Sequence, residues 1–402
     1  MRKPLHRDSV NQQLKKSYFL FQNPYISKDS NLFMEFITSI LQPWYDSLET
    51  PEETQRKTLE TLLKGYKKTE YGHKHGADVK TMEEFREQFP VATFKDFTPY
   101  LKEAKNGNWH ALLPEPPFAW GMTRGSTGTP KVVPFTKTDL EQKSVCGPRG
   151  TLNYVYKEKK FHILEGYVLN NNFPSKVGTM DVGGNQVEYG YSSGIYAKYA
   201  AEKGRLKVVP TIEQINESGT GTTKRDWEKR FDLAYNEAKN KKVTMVTGVA
   251  QGMIHFATFL KKKYNIYPKD VWEKPVLFCI SMVGINTKEK PVLKAMYDFS
   301  DLREMYGATE GMYAQQLDKR PYVFPNYDFY FFEVETNHRI KMLYELEKGE
   351  RGSLIISSCL FPRYKIGDVV KSFGGSALTC LGREKDFNVI KYYWERLMGQ
   401  TL

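Results

Sequence analysis

Apolar positions near the start of the chain recur at helical spacing. Leu32, Phe33, Phe36, Ile37, Ile40 and Leu41, preceded by Asp29-Ser30, predict a capped amphipathic helix. Leu59, Leu62 and Leu63 predict a second helix after Pro51. In the middle of the chain the pattern alternates. The run Lys242 to Thr247 reads as a strand ending at Gly248, followed by a helix with Val249, Met253, Phe256 and Leu260 on one face. Val276 to Ile280 reads as a buried strand ending near Gly284, and a helix with Val292, Met296 and Phe299 on one side comes next. Leu302 to Tyr306 is a further strand, closed by Gly307. Such alternation predicts a parallel sheet with crossover helices, which binds ligands at the carboxyl ends of its strands. After about residue 328 the spacing changes to short strands, Asp328 to Glu335, Gly352 to Ser358, Tyr364 to Phe373 and Leu378 to Leu381, separated by turns. They predict an antiparallel β subdomain.

Composition narrows the class. With 402 residues, 40% of them hydrophobic and 14% aromatic, the chain is not a disordered polymer and needs several layers or subdomains to bury its core. No run approaches the roughly 20 apolar residues of a membrane span. Met1 to Asp8 is charged, with no apolar stretch behind it, so no secretory signal is expected. Cys146, Cys279, Cys359 and Cys380 lack metal-ligand or disulfide spacing and read as small core residues in a reducing cytoplasm. The net charge of +12, from 59 Lys+Arg against 47 Asp+Glu, favours anionic partners. Lys157 to Lys160 and Lys261 to Lys263 read as turn or helix-end charges, and neither a basic block nor aromatic–basic interleaving points to nucleic acid.

The richest chemistry lies in Thr123-Arg124-Gly125-Ser126-Thr127-Gly128-Thr129-Pro130-Lys131. Glycines expose backbone N–H groups, hydroxyls add donors and cations offset charge, as a phosphate-cradling loop requires. A Ser/Thr/Gly surface turn has the same composition. Pro130 stands where a Walker A loop needs glycine. Other segments carry weaker signals. Gly219 to Thr223 reads as a loop before a polar helix, and Tyr191 to Ile195 reads either as acyl-pocket lining or as a turn. His255 reads as a packed histidine, and no His/Cys cluster has zinc spacing.

The 123–131 segment resembles the phosphate loop of the adenylate-forming superfamily, which includes acyl-CoA ligases, luciferases and peptide-synthetase adenylation domains. Arg124 stands where a small hydroxyl residue is usual. Three further segments follow in the family's order: Tyr306-Gly307-Ala308-Thr309-Glu310, Arg363 to Asp368, and the hinge-like Gly382-Arg383-Glu384-Lys385-Asp386. Thr69 to Gly72, Phe89 to Leu101 and Phe324 to Glu333 resemble the auxin-responsive acyl acid–amido synthetase branch.

The resemblance implies an α/β fold: a large layered domain of parallel-rich sheets flanked by helices, with a small antiparallel β subdomain. The expected division is a helical extension over 1–53, a nucleotide- and acyl-binding core over 54–327, the β-rich part over 328–383, and a hinge and tail over 384–402. It implies ATP and Mg²⁺ as cofactors, with AMP formed, and a carboxylic acid activated to an acyl-adenylate for transfer to an amine, an amino acid or coenzyme A. The implied nucleotide-binding set is Thr123, Arg124, Gly125, Ser126, Thr127, Gly128, Lys131, Gly284, Tyr306, Gly307, Thr309, Asp368 and Arg383. Lys131, Thr309 and Glu310 are the implied catalytic residues, with Glu310 the Mg²⁺ ligand, the Tyr306 ring available to adenine and Asp368 accepting the ribose hydroxyls. Only Phe387 to Leu402 follow the hinge, short of the family's lid domain. The expectation is threefold: a truncated product, a lid supplied by a separate protein or a homo-oligomer, or a chain that carries out only part of the family reaction. The competing expectation is a non-catalytic nucleotide- or acyl-adenylate-binding protein. Neither nucleic acid nor membrane is an expected partner.

Overall fold

The computed structural model describes residues 31–123, 131–202, 207–281, 285, 289–337 and 339–388. The first helix, α1 (Asn31–Glu49), buries Phe33, Phe36, Ile37, Ile40, Leu41 and Trp44 along one stripe. Trp44 Nε1 donates to the Pro325 carbonyl at 3.0 Å, so the helix is tied to the far end of the chain. In α2 (Pro51–Tyr66), Leu59, Leu62 and Leu63 are buried as their spacing predicts. Its Gln55 is fully buried, donates to the carbonyls of Tyr327 and Tyr330, and accepts from the Phe332 N–H. A buried amide satisfied on every side fixes this helix against a strand edge rather than merely covering it.

Among the described residues, two sheets carry the fold. The smaller has the order β2-β1-β5-β4 and contains β1 (Pro117–Met122), β2 (Val132–Thr136), β4 (Gly178–Val182) and β5 (Asn185–Tyr191). The larger has twelve strands in the order β13-β12-β14-β15-β16-β11-β10-β9-β8-β7-β3-β6. Its parallel part joins β6 (Val208–Val209), β3 (Tyr167–Asn170), β7 (Val243–Val249), β8 (Val276–Ser281) and β9 (Asp301–Ala308). Crossover helices run between them, as the alternating pattern predicts. The antiparallel strands β10 (Gly311–Gln316), β11 (Val323–Pro325), β12 (Phe331–Glu335), β13 (Ile340–Met342), β14 (Arg351–Ser357), β15 (Tyr364–Gly374) and β16 (Ala377–Arg383) continue the same sheet. All four cysteines are buried and free.

Three expectations are corrected. The strand through Tyr306 does not stop at Gly307. It runs to Ala308 and returns at once as β10, with Ala308 paired to Gly311 across a turn of Thr309 and Glu310. The helix Glu289–Tyr297 buries Leu293 and Tyr297, leaves Val292 40% exposed, and ends before Phe299. That nine-residue helix has room for one buried turn, so neighbouring packing rather than periodicity chooses its face. His255 lies exposed on the helix Ala250–Tyr264, touching Trp227 ring edge to ring face.

Candidate active site

The loop that carries the phosphate-type motif is the connection of the β1–β2 hairpin. Met122 pairs with Val132, the Thr123 N–H donates to the Lys131 carbonyl at 2.8 Å, and the Lys131 N–H donates to Thr123 Oγ1 at 3.0 Å. These two bonds clamp the loop at its base. Arg124, Gly125, Ser126, Thr127 and Gly128 at its centre, and Gly284 elsewhere, lie outside the described residues. The strand β2 leads directly into α3 (Lys137–Glu158), whose N-cap is the fully buried Thr136.

Lys131 is half-buried, with Nζ 4.5 Å from the centre of the Phe94 ring. Burial pulls its pKa below the ordinary lysine value. The Glu310 carboxylate opposes this and the Arg383 guanidinium adds to it. Lys131 therefore lies within the electrostatic reach of two residues far from it in sequence. Beside it opens a cleft of about 510 Å³, lined by Thr93, Phe94, Lys131, Tyr364, Gly367 and Glu384 among others.

Glu310 is 6% exposed at the tip of the β9–β10 hairpin, and its Oε1 accepts the Tyr364 hydroxyl at 3.2 Å. Burial raises the Tyr364 phenol's pKa, and the Glu310 carboxylate raises it further. Its neighbour Thr309 places Oγ1 at 3.4 Å from Ser192 Oγ, and its carbonyl accepts from Lys143 Nζ at 2.9 Å. Gly307 is required by space: a Cβ there would meet the Gly311 carbonyl and Met312 Sδ, each at 2.9 Å.

Tyr306 departs from its expected placement. Its ring is 2% exposed and packs on Tyr313, and its hydroxyl donates to Asp368 Oδ2 at 2.7 Å. In this conformation it offers no open face to a base. Arg383 Nη1 donates to Asp368 Oδ1 at 2.6 Å, so both carboxylate oxygens are engaged. Burial raises the Asp368 pKa, against the opposing pull of Arg383 and the Tyr306 hydroxyl. Arg383 Nε, by contrast, is buried with no hydrogen-bond partner among the described residues. A buried guanidinium donor without an acceptor is costly, and an anionic or hydroxylated ligand would satisfy it.

Lys131, Thr309, Glu310, Asp368 and Arg383 thus come together through Tyr364, Tyr306 and the cleft that Lys131 and Tyr364 line. Two partners were not singled out in the sequence, Asp139 and Lys143. The signal was present: two opposite charges four residues apart beside Leu140 and Val145, on the helix following the loop, where an apolar stripe was due. Ser192, read as either pocket or turn, begins the helix Ser192–Glu202 immediately after β5.

Comparisons with known proteins bear on the family and the fold. Residues 41–246 match the GH3 family N-terminal domain. Over 125 residues, 30% of this chain and 21% of the relative, it is 28% identical to a jasmonoyl–L-amino acid synthetase, JAR4, of Nicotiana attenuata. Over 96 residues, 23% of this chain and 16% of the relative, it is 32% identical to an indole-3-acetic acid-amido synthetase, GH3.15, of Arabidopsis thaliana. The matched stretches therefore span about a fifth of the curated relatives' length. Among solved structures, the GH3.15 acyl acid amido synthetase in complex with 2,4-DB superposes with a TM-score of 0.73 at 17% identity, covering 90% of this chain and 72% of that one. A 2-hydroxyisobutyryl-CoA ligase in complex with 2-HIB-AMP and CoA gives 0.56 at 14% identity, covering 84% and 69%. With an α/β fold shared with those solved structures, and with a family match running from the first helix through the phosphate-type loop to β7, the chain belongs to the GH3 family.

Proposed function

We infer that the protein activates a carboxylic acid with ATP. A carboxylate oxygen of the substrate attacks the α-phosphorus, the bond from that phosphorus to the bridging oxygen breaks, and pyrophosphate leaves with the electron pair. An acyl-adenylate remains. An amine, such as that of an amino acid, or the thiol of coenzyme A then attacks the acyl carbon. AMP departs and the nucleophile loses its proton. The observation that carries this reading is that Lys131 lines one cleft with Tyr364, whose hydroxyl donates to Glu310 at 3.2 Å, although 178 positions lie between Lys131 and Glu310 in the chain.

Positioning and charge stabilisation suffice for such chemistry. Lys131 at the base of the loop would face the phosphates, with the loop amides beside it. Thr309 would donate its hydroxyl to the α-phosphate. Asp368 would share its oxygens with the ribose hydroxyls, and Arg383 Nε would find its missing acceptor on the same side of the nucleotide. Glu310 would hold Mg²⁺. Among the described residues no group of three or more His, Cys, Asp or Glu could bind a metal unaided. One carboxylate completed by phosphate oxygens is an ordinary magnesium site, so the donor set fits. When bound, the ion would offset charge on the phosphate oxygens. Among the described residues no helix is long and apolar enough to cross a membrane. Four buried thiols outside any disulfide fit a cytoplasmic setting.

The test is pyrophosphate release from ATP across a panel of aryl, indole and aliphatic carboxylates. Release with at least one acid, dependent on Mg²⁺ and abolished in Glu310→Ala, is expected. ATP binding without release for any acid would overturn the reading.

A further inference from the structure

Beneath the Thr309-Glu310 turn lies a buried ion pair. Asp139 and Lys143 occupy successive turns of α3 and are 1% and 3% exposed. Lys143 Nζ donates to Asp139 Oδ2 at 2.6 Å and to the Thr309 carbonyl at 2.9 Å, and sits 4.0 Å from the centre of the Phe135 ring. Asp139 is itself fixed by the helix start, its N–H donating to Thr136 Oγ1 at 3.2 Å. Its other oxygen, Oδ1, has no partner among the described residues.

Burying a charged pair is expensive, and apolar residues of similar volume would often stabilise a core as well or better. What this pair does that apolar residues would not do is reach a specific carbonyl. That carbonyl belongs to the peptide plane joining Thr309 to Glu310, so holding it sets the direction in which the Glu310 side chain leaves the backbone. Among the described residues, the hairpin tip has two other side-chain ties, Ser192 to Thr309 and Tyr364 to Glu310. Among these three ties, Lys143 alone holds the backbone. Moreover α3 follows directly from β2, which closes the loop ending at Lys131. One rigid element therefore connects the base of that loop to the acidic turn opposite it.

We propose that Lys143, seated by Asp139, is a positioning residue that holds the Thr309–Glu310 peptide so that Glu310 faces a metal-bound phosphate. This rests on the reading of Glu310 as the magnesium-facing carboxylate. A ligand's supporting partner usually matters about 10-fold or more to metal affinity. A backbone-fixing residue should therefore act on the magnesium-dependent part of nucleotide binding and leave the rest intact.

The experiment is calorimetric titration of ATP into the full chain, once with Mg²⁺ and once with EDTA. Wild type is expected to bind ATP more tightly with Mg²⁺. In Lys143→Met and in Glu310→Gln that advantage should fall by roughly 10-fold, while affinity in EDTA stays at the wild-type value. An undiminished magnesium advantage in Lys143→Met would overturn the proposal and leave the functional reading standing. Equal loss in both media would mark the pair as structural only and overturn it too. No ATP binding by wild type would remove the reading of function, and the proposal with it. Should the lone buried Asp139 prevent Lys143→Met from folding, Lys143→Met with Asp139→Asn leaves no unpaired charge and carries the same test.

Discussion

The Tyr306 hydroxyl and the Asp368 carboxylate meet at 2.7 Å although their strands, β9 and β15, are separated in the sheet by β10, β11 and β16. In a flat sheet, strands four steps apart would lie about 19 Å from each other. The sheet therefore folds over on itself. Between β11 and β16, among the described residues, the pairing is reduced to one position, Val323 with Leu378. This fold brings the segments around Tyr306 and Asp368 to one place.

Removing that bond should be felt in stability first. Tyr306→Phe keeps the ring in its packed site and leaves Asp368 Oδ2 without its donor. A cost of about 1–3 kcal/mol is expected, read as a lower midpoint in urea unfolding. An unchanged midpoint would show that the bond does not hold the folded-over sheet together.

Stability should also fall as pH rises, because of Glu304. This side chain is 4% exposed on β9, and burial pushes its pKa up to about 8, with Glu289 adding and an N–H bond from Ile285 opposing. A carboxyl whose folded pKa lies above its unfolded value stabilises the protein fully below about pH 4.5 and loses that contribution as pH climbs to about 8. The slope approaches roughly 1.4 kcal/mol per pH unit within that window. Glu304→Gln should flatten thermal stability between pH 5 and pH 8, within about that per-unit scale. A variant with the same pH profile as wild type would contradict it.

Arg149 is a structural anchor rather than a site residue. It is 1% exposed, donates Nη1 at 2.8 Å to both Asp328 Oδ1 and Asn326 Oδ1, and reaches Asp328 Oδ2 at 2.5 Å through Nη2. Arg149→Met should cost about 3–5 kcal/mol by stranding the carboxylate. Arg149→Lys should recover little, since one ammonium cannot reproduce the fork. Equilibrium unfolding of the two variants checks both statements, and full recovery by lysine would refute the second.

Gly367 is required where it stands. Its φ is +86°, and a Cβ would meet Arg383 Nη2 at 3.2 Å. Gly367→Ala should lose about 1 kcal/mol or more from the left-handed backbone alone. It should also displace Arg383 and weaken ATP binding, measured by calorimetry. Wild-type ATP affinity in a variant that shows the stability loss would separate Arg383 from the nucleotide.

Much of the architecture was legible because it depends on local spacing. The strand-and-helix succession from Val243 to Asp301 follows from short apolar runs broken by glycine and helical stripes between them. The faces of Glu289–Tyr297 and the fate of His255 were not, because a short helix, or one histidine, takes its exposure from neighbours remote in sequence. The turn at Thr309-Glu310 was hidden because Gly307, a plausible terminator, is needed for close packing inside a continuing strand.

By itself the sequence determined the element types, the order of the phosphate-type loop and the three later motifs, and the family those motifs resemble. These reside in residue identity and in spacings of a few positions. Tertiary structure alone decided that Lys131 lines one cleft with Tyr364, the donor to Glu310, that Tyr306 reaches Asp368, and that Lys143 reaches across to hold Thr309. Each of these joins segments tens to hundreds of residues apart, and only the folding of the sheet and the path of α3 bring them together.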